Sequence, residues 1–106
     1  MRQYFTYRLH PTANGWYTPD RIMEKCFVGM DFTYQLEIVT NNEIDGRRLG
    51  WVESDDVDKI DALLEMLQMF GIHKKTVESA QAFIKYLVNI DVTIDNEKIV
   101  FPKPSI

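Results

Sequence analysis

Hydrophobic and polar residues alternate along two stretches of the chain, a period of two that is typical of β-strands with one covered face. In residues 2–9, Phe5, Tyr7 and Leu9 share one face, and Arg2, Tyr4, Thr6 and Arg8 share the other. In residues 32–40 the alternation is strict, with aromatic and aliphatic side chains at every second position. Both stretches are therefore predicted to be strands.

Turn signals separate further strands. The dipeptide Asp45-Gly46 favours a hairpin between the strand at 32–40 and another strand at residues 47–53. Near the C-terminus, residues 91–94 and 98–101 flank a second polar turn. We therefore predict a closing hairpin there.

From residue 55 the apolar period changes to about 3.6, which indicates a helix. Ser54 is expected to cap its N-terminus, and Gly71 suits the left-handed position that follows its last turn. A second helix is predicted from about residue 76 to residue 89, and a short one between residues 18 and 29, where Thr18 would cap it.

The resulting order, β-α-β-β-α-α-β-β, predicts one α+β domain spanning residues 1–106. Because hairpins dominate, we expect a small antiparallel sheet of about four to five strands. An αα-hairpin and the short helix are expected to pack on one side of this sheet.

The composition and the lengths of the apolar runs indicate the cellular location of the protein. Cys26 is the single cysteine, so an internal disulfide is excluded. No apolar run approaches the roughly 20 residues that span a bilayer, and residues 1–8 lack the apolar core of a signal peptide. We expect a cytoplasmic protein without membrane contact.

Residues that carry catalysis are scarce. His10, Cys26 and His73 are widely separated, which favours neither a nucleophile–base pair nor a zinc site, and the glycines form no phosphate-binding loop. A calcium loop starting at Asp56 would need glycine at position 61 and glutamate at position 67, where the chain has Asp61 and Leu67. We predict a non-enzymatic protein with no cofactor or metal; a carboxylate-dependent enzyme, which divalent metals would stabilise against melting, is a further alternative.

The net charge of −4 is concentrated in residues 37–61, which contain eight acidic and three basic residues. Acidic side chains at a helix start commonly do no more than complement the helix dipole on a solvated face. They would also attract a basic partner. The candidate acidic surface consists of Glu53, Asp55, Asp56, Asp58, Asp61 and Glu65.

This surface suggests a protein–protein interaction module, such as a small inhibitor or accessory factor of the kind that phages and mobile elements encode. Its partner would be another protein, for example a nucleic-acid-handling enzyme whose basic groove the carboxylates occupy. Trp16 and Tyr17, in a predicted loop, are further candidates for partner contact, because aromatic side chains are favoured interface anchors. The alternative for these two residues is that they close one edge of the core.

A second class of function follows from residues 70–77, with the sequence Phe-Gly-Ile-His-Lys-Lys-Thr-Val. This segment resembles the turn and recognition-helix start of helix-turn-helix DNA-binding proteins, and the following hairpin resembles the wing of winged-helix proteins. The resemblance spans residues 57–101 and implies DNA contacts by His73, Lys74, Lys75, Thr76 and Lys85. An ordinary αα-hairpin with a glycine-capped turn is the competing interpretation. The chain also lacks an overall basic character, so nucleic acid is the less favoured partner.

Overall fold

The computed structural model describes residues 1–9 and 18–103. Within these ranges the strands are β1 (Arg2–Arg8), β2 (Thr33–Thr40), β3 (Arg47–Glu53), β4 (His73–Lys75), β5 (Thr93–Asp95) and β6 (Lys98–Val100). The helices are α1 (Pro19–Gly29), α2 (Val57–Leu67) and α3 (Val77–Val88), and a 3₁₀ helix (Gln68–Phe70) follows α2 directly.

Strands β2, β3, β1 and β4 form one antiparallel sheet in that order, and β5 pairs with β6 in a separate hairpin. The α+β class, the antiparallel sheet and the order of the predicted elements are confirmed. The structure adds one short strand, β4, between α2 and α3. It pairs with β1, which therefore lies inside the sheet between β3 and β4.

Helices cover both faces of the sheet, so the prediction that they pack on one side is wrong. Phe5 and Tyr7 of β1 pack with α1 and α2, whereas Tyr4 packs with α3. Successive residues of a strand point to opposite faces, so α3 lies across the sheet from the other two helices. Tyr4 and Thr6, assigned to the polar face of β1, are 2% and 1% exposed because α3 and the β5–β6 hairpin cover that side.

The start of α2 differs from the prediction in one contact. Asp56, and not Ser54, caps the helix, because its carboxylate accepts a hydrogen bond from the backbone N–H of Lys59 at 3.1 Å. Ser54 Oγ accepts a hydrogen bond from the N–H of Asp56 and so helps to hold the capping residue in position. After the 3₁₀ helix, Gly71 has a φ of 80°, which confirms the predicted left-handed position.

Helix α1 begins as predicted at Thr18 and Pro19, but the Thr18 side chain does not cap a backbone N–H. Its hydroxyl instead donates to the carboxylate of Asp20. One backbone N–H fewer needs a hydrogen-bond acceptor at this end of the helix, because Pro19 has no N–H.

The β5–β6 hairpin and the residue before it are attached to β1 and α3 by specific polar contacts. The N–H of Ile99 donates to the hydroxyl of buried Tyr4 at 2.8 Å. On α3, Gln81 Nε2 donates to the carbonyl oxygen of Val92 at 2.7 Å. These bonds hold the hairpin beside the start of β1, where it borders the acidic region.

No helix in the described ranges has the length and apolar character needed to cross a bilayer.

Candidate functional site

Three of the six predicted acidic residues are satisfied within the chain. Glu53 forms ion pairs with Arg2 at 3.0 Å and Lys98 at 3.6 Å. Burial raises the pKa of Glu53, but the hydrogen bond and charge of Arg2, helped by Lys98, outweigh it and leave the pKa below its ordinary value. Glu53 therefore acts as an internal ion-pair partner at the end of β3.

Asp56 and Asp61 also have structural partners. Besides capping α2, Asp56 lies 3.7 Å from Lys59, and Asp61 lies 3.9 Å from Lys74 of β4. The pair formed by Asp61 and Lys74 joins α2 to the edge of the sheet. Both pairs are partly exposed, so each contributes little to stability by itself.

The remaining predicted carboxylates, Asp55, Asp58 and Glu65, are exposed. Within the described part of the chain they form no ion pair and accept no side-chain hydrogen bond. Their negative charge is therefore fully available to a partner. We call these three residues the unpaired acidic surface.

Asp58 and Glu65 lie on one stripe of α2, because residues seven apart are two helical turns apart on the same side. The stripe is opposite the buried side chains Ile60, Leu63, Leu64 and Leu67. At its C-terminal end are Met66 and Met69, which are 53% and 77% exposed.

These two methionines are not among the site residues predicted from the sequence. The signal was present, since neither position belongs to the apolar stripe that packs into the core. Exposed methionines extend the acidic region into a surface with both charged and apolar character.

A cleft of about 550 Å³ lies between the start of α2 and the β5–β6 turn. Its lining carries both signs of charge, from Arg2, Glu53, Asp55, Glu97 and Lys98 among others. Because Glu53 binds Arg2 and Lys98 across one side, the cleft is a polar depression next to the unpaired acidic surface.

The segment that resembles a helix-turn-helix motif has a different geometry. His73, Lys74 and Lys75 form strand β4 and pair with β1, so they do not begin a recognition helix. Helices α2 and α3 pack in separate clusters on opposite faces of the sheet, whereas the two helices of the motif pack on each other. The predicted helix-turn-helix arrangement is therefore wrong.

Three of the five predicted DNA-contacting side chains have other partners in this fold. Lys74 pairs with Asp61, and Lys85 of α3 pairs with Asp91 at 3.0 Å. Thr76 caps α3 by accepting a hydrogen bond from the N–H of Ser79 at 3.1 Å. The hairpin predicted as a wing is present, but it packs on α3 at the far side of the sheet from α2.

Trp16 and Tyr17 lie outside the described residues. Cys26 is half-buried against the cluster under α1. Among the described residues, no group of three His, Cys, Asp or Glu side chains is arranged to hold a metal ion.

Comparison of the chain with protein-family models, with curated proteins and with solved structures finds no match.

Proposed function

We propose that this chain is a non-catalytic protein-binding module whose partner contacts the unpaired acidic surface. The observation that carries the proposal is the difference among the acidic residues of one region. Glu53, Asp56 and Asp61 have partners within the fold, whereas Asp55, Asp58 and Glu65 are exposed and have none among the residues that the structure describes. Unpaired exposed carboxylates on a helix and just before it create a local field that speeds the approach of a basic partner.

The proposed partner is a protein with a basic surface, such as a nucleic-acid-handling enzyme, and the proposed role is that of a small inhibitor or accessory factor in the cytoplasm. Carboxylates on a helix match a groove built to receive phosphates, because both present closely spaced negative oxygens to Lys and Arg side chains. The two unpaired carboxylates on α2, Asp58 and Glu65, are about 10 Å apart along the helix axis, as seven residues at 1.5 Å each require.

The test compares capture of partners by the wild-type protein and by the triple variant Asp55→Asn, Asp58→Asn and Glu65→Gln. An extract of the organism that encodes the protein supplies the partners, and quantitative mass spectrometry measures them. We expect at least one protein with a basic surface to be retained by the wild type and depleted at least tenfold with the variant.

The matched control is the variant Glu24→Gln, Glu43→Gln and Glu78→Gln, which removes the same charge from exposed positions elsewhere. It should retain the partner. Equal retention by the wild type and the acidic-surface variant would refute the proposal. Asp56 is left unchanged, because its loss would uncap α2 and confuse binding with folding.

A further inference from the structure

The exposed methionines at the end of α2 add an apolar anchor to the charged stripe. Met66 and Met69 present large apolar surface to solvent, although the helix has a complete core-facing side without them. Isolated exposed apolar residues are common, but two neighbouring ones at the end of an unpaired charged stripe are suited to an interface. Methionine also adapts its shape to different apolar partners.

Charge complementarity indicates what covers this face. Glu65 brings negative charge to within about one turn of Met66 and Met69, and Asp58 lies about two turns before Met66. No described cation neutralises Asp55, Asp58 or Glu65. Exposed charge pairs alone contribute little affinity, whereas burial of an apolar side chain at the centre of an interface contributes much more. A partner that satisfies both features must carry cations and an apolar side chain on one face.

The spacing further defines the partner. Asp58 and Met69 are eleven residues apart, which corresponds to about 16 Å along a helix, or roughly three turns. An amphipathic helix of similar length presents Lys or Arg at one end and a large apolar side chain at the other.

We propose that the outer face of α2 and the following 3₁₀ helix binds a basic amphipathic helix of another protein, with Met66 and Met69 as the apolar contact. This inference rests on the proposed function, because it extends the unpaired acidic surface and specifies the partner that uses it.

The experiment uses a synthetic alanine-based helical peptide with Lys residues in its first turn and Leu residues three turns later. Binding to the full chain is followed by nuclear magnetic resonance of the methionine methyl groups and the backbone amides. We expect saturable shifts at Met66, Met69 and the exposed stripe of α2. The variant Met66→Ser with Met69→Ser should bind at least tenfold more weakly, as expected for losing roughly 1.4 kcal/mol or more of apolar burial.

Val28→Ser is the matched control, since Val28 is 63% exposed on α1 and should not affect binding. Peptides with Glu in place of Lys, or Gln in place of Leu, should not bind. No binding of the Lys and Leu peptide, or unchanged affinity in the methionine variant, overturns the inference. The inference is also overturned if the free protein dimerises and the methionine variant does not, because a second copy of the chain would then cover this face.

The two proposals fail in distinguishable ways. If the acidic-surface variant loses its partner in the extract while the methionine variant keeps it, the proposed function stands and the helical partner is wrong. If the acidic-surface variant keeps its partner, the proposed function fails, and the inference that rests on it fails as well.

Discussion

Phe5 and Gly50 lie directly opposite each other on β1 and β3, and the Phe5 ring occupies the space that a side chain at Gly50 would need. A Cβ at this position would come within 2.9 Å of Phe5 Cε1. It would also collide with the backbone carbonyl oxygens of Gln35 and Leu36 in β2. The register of β2 against β3 shifts just after Gln35, which brings these carbonyls over Gly50.

Gly50→Ala is therefore expected to destabilise the protein by about 1–3 kcal/mol, the usual cost of forcing an extra group into a packed site. Urea unfolding measures the change. Gly29→Ala is the control, because a Cβ there meets nothing within 4 Å, and it should be neutral or stabilising by up to ~1 kcal/mol. Equal stability of the Gly50 variant and the wild type would show that β2 does not approach β3 as described.

Asp56→Ala should destabilise the protein by about 1 kcal/mol, because the N–H of Lys59 loses its capping acceptor. Thermal unfolding at fixed pH measures the effect. Asp55→Ala removes the same charge from an exposed neighbour that caps nothing, and it should change stability by less than ~0.5 kcal/mol. Similar losses in both variants would contradict the assignment of the cap.

Asp45 should make stability depend on pH in the acid range. Hydrogen bonds from Arg47 at 2.7 Å lower the pKa of this carboxyl well below its usual range, burial opposes the shift, and Arg8 reinforces it. Because the folded pKa is lower than the unfolded one, the stabilisation is fully present above the unfolded value of about 3.9 and is lost as the pH falls toward the folded value.

The free energy of unfolding of the wild type should therefore decrease as the pH falls from about 5 to about 2, the range in which the stabilisation by the Asp45 carboxylate is lost. Asp45→Asn should make this decrease smaller. Chemical denaturation across that range measures it. Glu43→Gln, at an exposed position in the same turn, should leave the slope unchanged. A slope that is unaffected by Asp45→Asn would show that the ion pairs do not persist in solution.

Tyr4→Phe should loosen the β5–β6 hairpin while the sheet stays formed. The variant keeps the aromatic ring in the core but removes the hydroxyl that accepts from the N–H of Ile99. We expect a loss of about 1–3 kcal/mol, typical of leaving a donor unsatisfied. Hydrogen exchange at Ile99 should accelerate, while exchange in β3 should change less. Tyr86→Phe, on the exposed side of α3, is the control and should alter neither.

Double-stranded DNA should not bind to this protein in a saturable, salt-dependent manner. Lys74 and Lys75 lie on a short edge strand, and Lys74 already pairs with Asp61. Fluorescence polarisation at low salt provides the measurement. Binding that weakens steeply with salt and is lost in the Lys74→Ala, Lys75→Ala variant would restore DNA recognition as the function.

The period of the apolar residues predicted the helices and strands that have one buried face. In α3, the buried residues Ala80, Phe83, Ile84 and Leu87 all belong to the apolar stripe of the sequence. The bounds of β2 and β3 also followed from alternation and from the turn at Asp45-Gly46. These features are local, because the burial of each side chain repeats with the geometry of its own element.

Contacts between residues that are distant in the sequence could not be predicted in the same way. Strand β4 consists of His73, Lys74 and Lys75, which show no alternation because the strand is short and largely exposed. Its existence depends on hydrogen bonds to β1, about 70 residues earlier in the chain. The separation of α2 and α3 onto opposite faces follows from this strand, so the resemblance to a DNA-binding motif could be corrected only from the structure.

In the candidate site, the sequence located the acidic residues but did not distinguish the paired from the unpaired ones. That distinction depends on Lys74 and Lys98, which are distant in sequence from Asp61 and Glu53. Met66 and Met69 lie outside the buried stripe of α2, so the helical period indicates their exposure, but period alone does not separate an exposed apolar contact from an ordinary surface position.

The central place of β1 has a consequence for synthesis on the ribosome. Until residues 73–75 have been synthesised, β1 lacks its β4 partner, so one of its edges stays open even when β3 is already present. Its Phe5 and Tyr7 are among the most buried side chains of the finished fold. We expect chains that end before residue 73 to aggregate more readily than longer chains, because the open edge of β1 offers unpaired N–H and C=O groups to other strands.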